Sequence, residues 1–326
     1  MLLSIVIPVY NEEESLETLH QELDRVATAQ DYQLDIVFVD DGSKDSSWEV
    51  IQRLAASDPR VRGIRFRRNF GKAAALRAGF AEVQGERVMT LDADLQDDPA
   101  EIPRFLAEID KGFDVVSGWK QTRHDPWHKV YPSRVFNWMV SRLTGTVLHD
   151  HNCGMKCYRR EVVDEVVLYG EFHRFVPVLA AARGYRVGEL VVHHRARQFG
   201  YSKYGVSRFI KGFLDLLTVK FLMSFGQRPQ HVLGAAGLGS LLLGSVGLVY
   251  AFVAWVLATL VPGVGTWPLG RLFTLVCSVG LLVVGVQLLT AGLVAELVVA
   301  RHARQTSTYS ISARTNDKTD STSPAP

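Results

Sequence analysis

A chain of 326 residues that is 47% hydrophobic and 21% charged can bury a sizeable core and leaves room for one large domain or two. Lysine and arginine (36) nearly balance aspartate and glutamate (34), and a net charge of +2 carries no footprint of nucleic acid or another polyanionic partner. Of the cysteines, Cys153, Cys157 and Cys277, the first two are four apart, with no C-x-x-C and no histidine at finger spacing, which argues against a disulfide framework or a zinc site and for reduced thiols in a cytosolic domain.

The opening MLLSIVIPVYNEEE has no basic lead and no small-residue cleavage site, and its apolar run is too short for a signal peptide, so it reads as a first strand. Strand-length apolar runs then alternate with amphipathic stretches: LLSIVIPV before a helix over 12–29, LDIVFVD before 44–57, VRGIRF before 71–83, ERVMTLD before 99–111, and finally FDVVSGW. This alternation predicts an α/β domain with a mostly parallel sheet covered by helices on both faces.

Acidic and turn-forming clusters recur where strands one, two and four run out: IPVYNEEESL, VDDGSKDSSWEVI and TLDADLQDDP. Ligands bind at the carboxyl ends of strands in open parallel sheets. Asp92 and Asp94 are at i and i+2, so both side chains point the same way if the strand persists. Two hard carboxylates there suit Mg²⁺ or Mn²⁺ shared with phosphate oxygens, with Gln96 a further oxygen ligand. Asp97 and Asp98, just before Pro99, read as capping acids for the next helix.

Downstream, Val206, Phe209, Ile210, Phe213, Leu214, Leu217 and Phe221 recur at helical spacing, opposite Arg208, Lys211 and Asp215. The pattern fits an interfacial amphipathic helix over 206–228 or an ordinary core-facing one; the long apolar runs next to it in the chain favour the former. No charged residue occurs from Val232 to Gly270 or from Leu272 to Ala295, and each run exceeds the roughly 20 residues needed to span a bilayer. VPGVGTWPLG between them makes a helical hairpin the natural reading, with spans at about 232–261 and 271–297 inside a 229–300 membrane segment. Lys220 and Arg228 before it, and Arg301, His302 and Arg304 after it, place both ends in the cytoplasm against a lone Arg271 in the turn. Ala236, Ser240 and Gly244 offer a small-residue seam between the spans. The polar, Ser/Thr-rich end of the 301–326 tail is expected to be disordered.

Taken jointly, IPVYNEEESL, VDDGSKDSSWEVI, NFGKAAALRAGF and LDADLQDDP resemble glycosyltransferase family 2, over about residues 1–228, with a catalytic domain at about 1–205. The resemblance implies a GT-A fold. HDHNCGMKCYRREV, RQFGYSKYGVSRF and two C-terminal spans look like the branch, including dolichol-phosphate mannose synthases and bactoprenol glucosyltransferases, that transfers a sugar from a nucleotide to a polyprenyl phosphate. The QxxRW motif of processive relatives is absent.

Carried over residue by residue, the resemblance assigns Pro8, Tyr10, Glu12, Asp40 and Asp41 to the nucleoside, and Asp92, Asp94 and Gln96 to a divalent metal and the diphosphate. Glu12 and Asp41 fit helix caps as well. Lys72 enters a helix from a glycine-containing loop, where a cation meets a phosphate, though a surface lysine has the same signature. Asp94 and Asp150 are the candidate catalytic acids, the latter orienting the acceptor or accepting a proton. Arg123, Arg134, Arg197 and Lys203 match the acceptor-phosphate region. A lipid monophosphate is already largely ionised at neutral pH, its second pKa near ~6, so this site needs cations more than a base. His149 and His151 flank Asp150, but three adjacent residues cannot all face one point in a strand, so both read as structural or surface histidines.

The expected activity is an inverting, metal-dependent transfer, glucose from UDP-glucose for preference, to polyprenyl phosphate on the cytoplasmic leaflet, serving cell-envelope glycans. The alternatives are GDP-mannose or an aminosugar donor, another lipid acceptor, or a non-catalytic scaffold or carrier that kept the fold. Homo-oligomers through the spans are a further expectation.

Overall fold

The computed structural model describes residues 1–121, 127–168, 170–195, 212–220, 229–260 and 268–302, and the chain divides into two compact units, Met1–Lys220 and Phe221–Pro326. The first is built on seven strands: β1 (Leu2–Val9), β2 (Gln33–Asp40), β3 (Val61–Arg65), β4 (Arg87–Thr90), β5 (Val115–Trp119), β6 (Lys156–Arg159) and β7 (Val187–Val191). They lie in the order β3-β2-β1-β4-β6-β5-β7, parallel throughout except β6, which runs antiparallel between β4 and β5. β1 and β2 are buried almost without a break, so they read as continuous apolar runs, while the edge strand β3 alternates. The parallel α/β expectation therefore holds; β6, four residues long, and the mixed-burial β7 carry too little pattern to be foreseen.

The helices are α1 (Leu16–Gln30), α2 (Ser47–Ser57), α3 (Lys72–Glu82), α4 (Ile102–Asp110), α5 (Trp127–Thr144), α6 (Arg160–Glu165) and α7 (Val176–Ala182). α1 and α2 start later than the apolar period suggests because the preceding residues bond across to each other. Asn11 N donates to Ser43 Oγ at 2.9 Å, Lys44 N to Asn11 Oδ1 at 2.8 Å and Glu12 N to Ser47 Oγ at 2.9 Å. Neither Glu12 nor Asp41 is the capping residue of the next helix; Ser15 and Ser46 hold those positions. Pro99–Glu101 forms a single 3-10 turn ahead of α4, and Asp98 caps it, accepting from Ala100 N at 3.0 Å. Asp97 does not cap: it is buried and pairs with Lys120 instead.

This topology places the site. β2 and β3 lie on one side of β1 and β4 on the other, which opens a crevice at the carboxyl ends. Because β6 is reversed, its first residue arrives at that same edge: Lys156 pairs in register with Thr90, the last residue of β4, and with Ser117 of β5.

Residues 212–220 form a further helix, α8. Leu216 and Val219 are fully buried, while Phe213, Leu214 and Leu217, the part of the expected apolar stripe within the described residues, face outward. The helix therefore has two apolar faces, and the stripe picked out by periodicity is not the one that packs inward.

The second unit consists of α9 (Pro229–Leu260) and α10 (Pro268–His302) packed together. Both contain windows long and apolar enough to cross a membrane, and with 6% and 11% of those windows buried neither is the core helix of a soluble domain. Of the expected seam Gly244 makes the close approach, Ser240 is half-buried and Ala236 is exposed, its place being taken by Gly237. A Cβ on Gly237 would lie 2.9 Å from Gly285 O, and one on Gly244 would lie 2.8 Å from Ser278 O. At the helix ends, Gln230 N donates to Glu296 Oε2 at 3.2 Å, an acid meeting the positive end of α9. Overpacking a filled interface costs about 1–3 kcal/mol. Gly244→Val should accordingly lower the thermal midpoint of the detergent-solubilised protein, and Ala236→Val should leave it within error; equal effects would show that the seam is misplaced.

Candidate active site

Two loops bound the donor side. Asp40, fully buried at the end of β2, accepts from Ser43 N at 2.9 Å and faces Arg65 at 3.3 Å. Gly42 comes two residues later at φ +72°, where a Cβ would press on the Arg68 backbone, so the turn admits little but glycine. Beside it an open cleft of about 430 Å³ is lined by Gly42, Ser43, Arg65, Phe66 and Arg67. Asp41 spends both oxygens on the entry to α3, accepting from Phe70 N at 2.6 Å and Gly71 N at 2.9 Å. Burial pushes its carboxyl up against those two amides, and Asp40 adds to the rise. Through this contact Asp41 fixes where Lys72 starts its helix. Pro8 lies near the end of β1, level with Val39, and Tyr10 and Glu12 come after it in the adjoining loop.

The charged centre lies past β4. That strand ends at Thr90, so strand alternation does not set the directions of Asp92 and Asp94; a turn with Leu95 at φ 58° does. Asp94 is buried and accepts from Gln96 N at 3.2 Å. Gln96 O in turn accepts from Arg195 N at 3.0 Å. Lys72 Nζ forms an ion pair with Asp92. Lys120 Nζ, just after β5, is 2.9 Å from Asp97 Oδ1, and Asp97 Oδ2 accepts from Asp92 N at 3.3 Å. Lys156, 3% exposed, donates to Cys153 O. Asp92 can approach this group because residue 154 is glycine: any Cβ there would collide with its carboxylate. Thr90 Oγ1 holds the same glycine by donating to Gly154 O at 2.8 Å.

The ionisation states are set by this packing. Burial would raise the Asp92 carboxyl, but the ammonium groups of Lys72, Lys120 and Lys156 outweigh it and hold Asp92 well below the usual carboxylate range. Burial would likewise lower Lys120, yet the carboxylates of Asp97 and Asp92 keep it above the usual lysine range. Lys156 is pulled down, by burial first and by Lys72 among its neighbours. Burial pushes the Cys153 thiol up to about 12, which keeps it protonated and unreactive.

Among the described residues no three carboxylate, histidine or cysteine side chains converge on a metal position. Asp92 and Asp94 offer two hard carboxylates within three residues, the ligand type that suits a Mg²⁺- or Mn²⁺-sized ion whose shell is completed by water and substrate phosphate.

On the other flank, the turn 149–155 leads into β6. Asp150 is 1% exposed, accepts from Asn152 N at 3.0 Å, and acts electrostatically on both Lys156 and Cys153. His149 lies outside, its ring stacked 4.0 Å from that of Trp119. His151 lies inside, 3.1 Å from Ser141 Oγ, with no hydrogen-bond partner for Nδ1 among the described residues. Arg134 is exposed on α5. Arg123, Arg197 and Lys203 fall outside the described residues. The structure thus brings Lys72, Asp92, Asp94 and Asp150 into one neighbourhood, and adds Lys120, Asp97 and Lys156. Lys120 carried a usable signal, a cation at a strand's carboxyl end; Lys156 required the reversed β6.

A mostly parallel sheet with a crevice at its carboxyl ends, and an acid pair and lysines gathered past β4, is an α/β fold of the GT-A kind. The chain belongs to glycosyl transferase family 2, whose family model matches residues 4–167, and it is a glycosyltransferase. It is 35% identical over 308 residues to dodecaprenyl-phosphate galacturonate synthase of Rhizobium johnstonii, covering 93% of this chain and 89% of the relative. It is 38% identical over 250 residues to undecaprenyl-phosphate 4-deoxy-4-formamido-L-arabinose transferase of Pseudomonas fluorescens, covering 76% and 71%. Among solved structures, glucosyl-3-phosphoglycerate synthase of Mycobacterium tuberculosis, in complex with Mn²⁺, UDP-glucose and phosphoglyceric acid, matches at 16% identity and TM-score 0.53, over 68% of this chain and 79% of that one, and shares the fold.

The buried imidazole makes the 149–155 turn acid-sensitive. Burial pulls His151 down to about 4, with Lys156 acting the same way, whereas an unfolded histidine titrates near ~6.5. Between those values the unfolded chain binds more protons, so stability is present above about pH 6.5 and is lost as pH falls towards 4. The loss is on the order of 1 kcal/mol at pH 5.5. His151→Gln should flatten the drop in unfolding midpoint between pH 7.5 and 5.5; an unchanged slope would assign the acid sensitivity to other groups.

Proposed function

We propose that this protein transfers a glycosyl group from a nucleotide sugar to a polyprenyl phosphate at the cytoplasmic face of a membrane. The observation that carries this reading is the cation cluster of Lys72, Lys120 and Lys156 around Asp92, in a family 2 chain that also has two membrane-length helices. A reaction that brings a phosphate dianion beside a diphosphate needs ammonium groups within reach of both. Two curated relatives with this length of match are named for polyprenyl-phosphate products or acceptors.

An oxygen of the acceptor phosphate attacks the anomeric carbon as the bond to the nucleoside diphosphate breaks on the opposite face, inverting the configuration. Asp92 and Asp94, with Gln96 nearby, would hold a divalent ion, which when bound supplies positive charge against the diphosphate leaving group. Pro8, Tyr10, Glu12, Asp40 and Asp41 belong to the nucleoside side, with Asp41 acting through its hold on the entry to α3. Lys72 neutralises Asp92 here, and in the proposed reaction it turns to the diphosphate. Asp150 orients the acceptor or takes its last proton. Arg123, Arg134, Arg197 and Lys203 complete the acceptor's phosphate contacts, and the outward apolar stripe of α8 supports a role at the bilayer surface.

For the donor, we take a uronosyl nucleotide first, because the relative matched over nearly the whole chain is named for galacturonate; formamido-arabinose and the glucose expected from motif resemblance come after it. The test is a panel of these nucleotide sugars with undecaprenyl phosphate and purified protein. Product should form with one donor class, require Mg²⁺ or Mn²⁺, and vanish with EDTA or in Asp92→Ala and Asp94→Ala. Turnover under excess chelator would remove the metal assignment, and transfer to a neutral lipid alcohol but not to the phosphate would remove the acceptor.

We further propose the catalytic unit and both chain ends on the cytoplasmic side. A cysteine at Thr266 in a cysteine-free background should react with an impermeant reagent added to intact cells, and one at Ser321 should not. The opposite pattern would reverse the orientation.

A further inference from the structure

We propose that Glu189 is a positioning residue for the transfer step, acting through Asp150; the inference rests on the role given to Asp150 above. Glu189 sits on β7 level with Ser117, which in turn pairs with Lys156, so its strand is two places from the reversed β6. Its carboxylate gathers the donors of one short segment. Oε1 accepts from His149 N at 2.8 Å and from Asp150 N at 2.9 Å, and Oε2 lies 2.7 Å from His149 Nδ1.

With His149 N also reaching Oε2 at 3.1 Å, these four contacts to two consecutive residues do more than a surface ion pair does. They fix both the backbone and the ring at the start of the 149–155 turn, and Trp119 covers that ring, stacking on His149 at 4.0 Å and 13°. Asp150 leaves this clamp with its own carboxylate curled onto Asn152 N. At its far end the turn is held independently, by Thr90 on Gly154 and by the pairing of β6 with β4. Loss of Glu189 therefore loosens the Asp150 end and leaves Gly154 against Asp92, so acceptor alignment suffers while the donor side stays in place. Misplacement of a reacting group by about 1 Å costs on the order of 100-fold in rate.

The informative pair is Glu189→Met, which keeps bulk and removes both acceptors, and Glu189→Gln, which keeps one oxygen for the two amides. In Glu189→Met, kcat should fall about 10- to 100-fold with the nucleotide-sugar KM within about 3-fold, and Glu189→Gln should return to within about 5-fold of the parent. In an Asp150→Ala background, Glu189→Met should add less than about 3-fold, as expected of residues acting as one unit. Hydrogen exchange at the His149 and Asp150 amides should quicken in Glu189→Met and not in Glu189→Gln, which reads the clamp without turnover. If Glu189→Met does not melt cooperatively, Glu189→Ala carries the same comparison. Full activity in Glu189→Met, equal losses in both backgrounds, or a Gln variant as slow as Met would overturn the inference. Full turnover by Asp150→Ala would instead sink the assignment of Asp150, and the positioning role with it.

Discussion

Mutual neutralisation of carboxylates and ammonium groups at the end of β4 is the constraint on which the site depends. A buried lysine without a partner would give up its proton or unfold its surroundings, and a buried aspartate would do the converse. Here Lys120 keeps its charge because Asp97 is 2.9 Å away, and Asp92 keeps its own because lysines flank it. The local architecture serves that meeting. The reversed β6 delivers Lys156, Gly154 makes space for Asp92, and the left-handed Leu95 turns the chain so that Asp94 and Asp97 are both buried within a few residues of each other.

The parallel half of the sheet was legible in the sequence because its strands are covered on both faces, so apolar runs stand out from the polar loops between them. The acids at 92 and 94 were legible for the same reason, standing where an apolar run stops. What was not legible depends on distant pairing. Nothing in KCYR announces a strand antiparallel to both neighbours, so nothing local singles out Lys156. Asp97 looked like a cap beside Asp98 because capping is a local pattern, and only the position of Lys120 across the crevice distinguishes the two. Periodicity found the stripe on α8 without telling which way it faces, since Leu216 and Val219 give the same helix a second apolar side.

In the second unit the physics changes solvent. Apolar side chains point outward along α9 and α10, where in water they would be a liability, and glycine is used for close backbone approach. Composition alone therefore marks the spans, but not the contact between them. Ala236 and Gly237 are both small; which one lies in the seam depends on helix rotation, which is settled by the partner helix.

The resident lysines also bear on how donor and metal would enter. With the acids already neutralised from within, a divalent ion arriving alone would meet three ammonium groups, and a diphosphate arriving alone would meet Asp92 and Asp94. Arriving together, the two carry nearly cancelling charge, and each relieves the repulsion the other would face. Under the roles proposed for these residues the two affinities are coupled, and the coupling is reciprocal by thermodynamic necessity. Lys72 is the pivot of this exchange under the proposed roles: its partner in the structure, Asp92, is a proposed metal ligand, and Asp41 fixes the start of the helix that carries it. A site neutral both when empty and when full, and charged in between, favours the two filled-together states over either half-filled one.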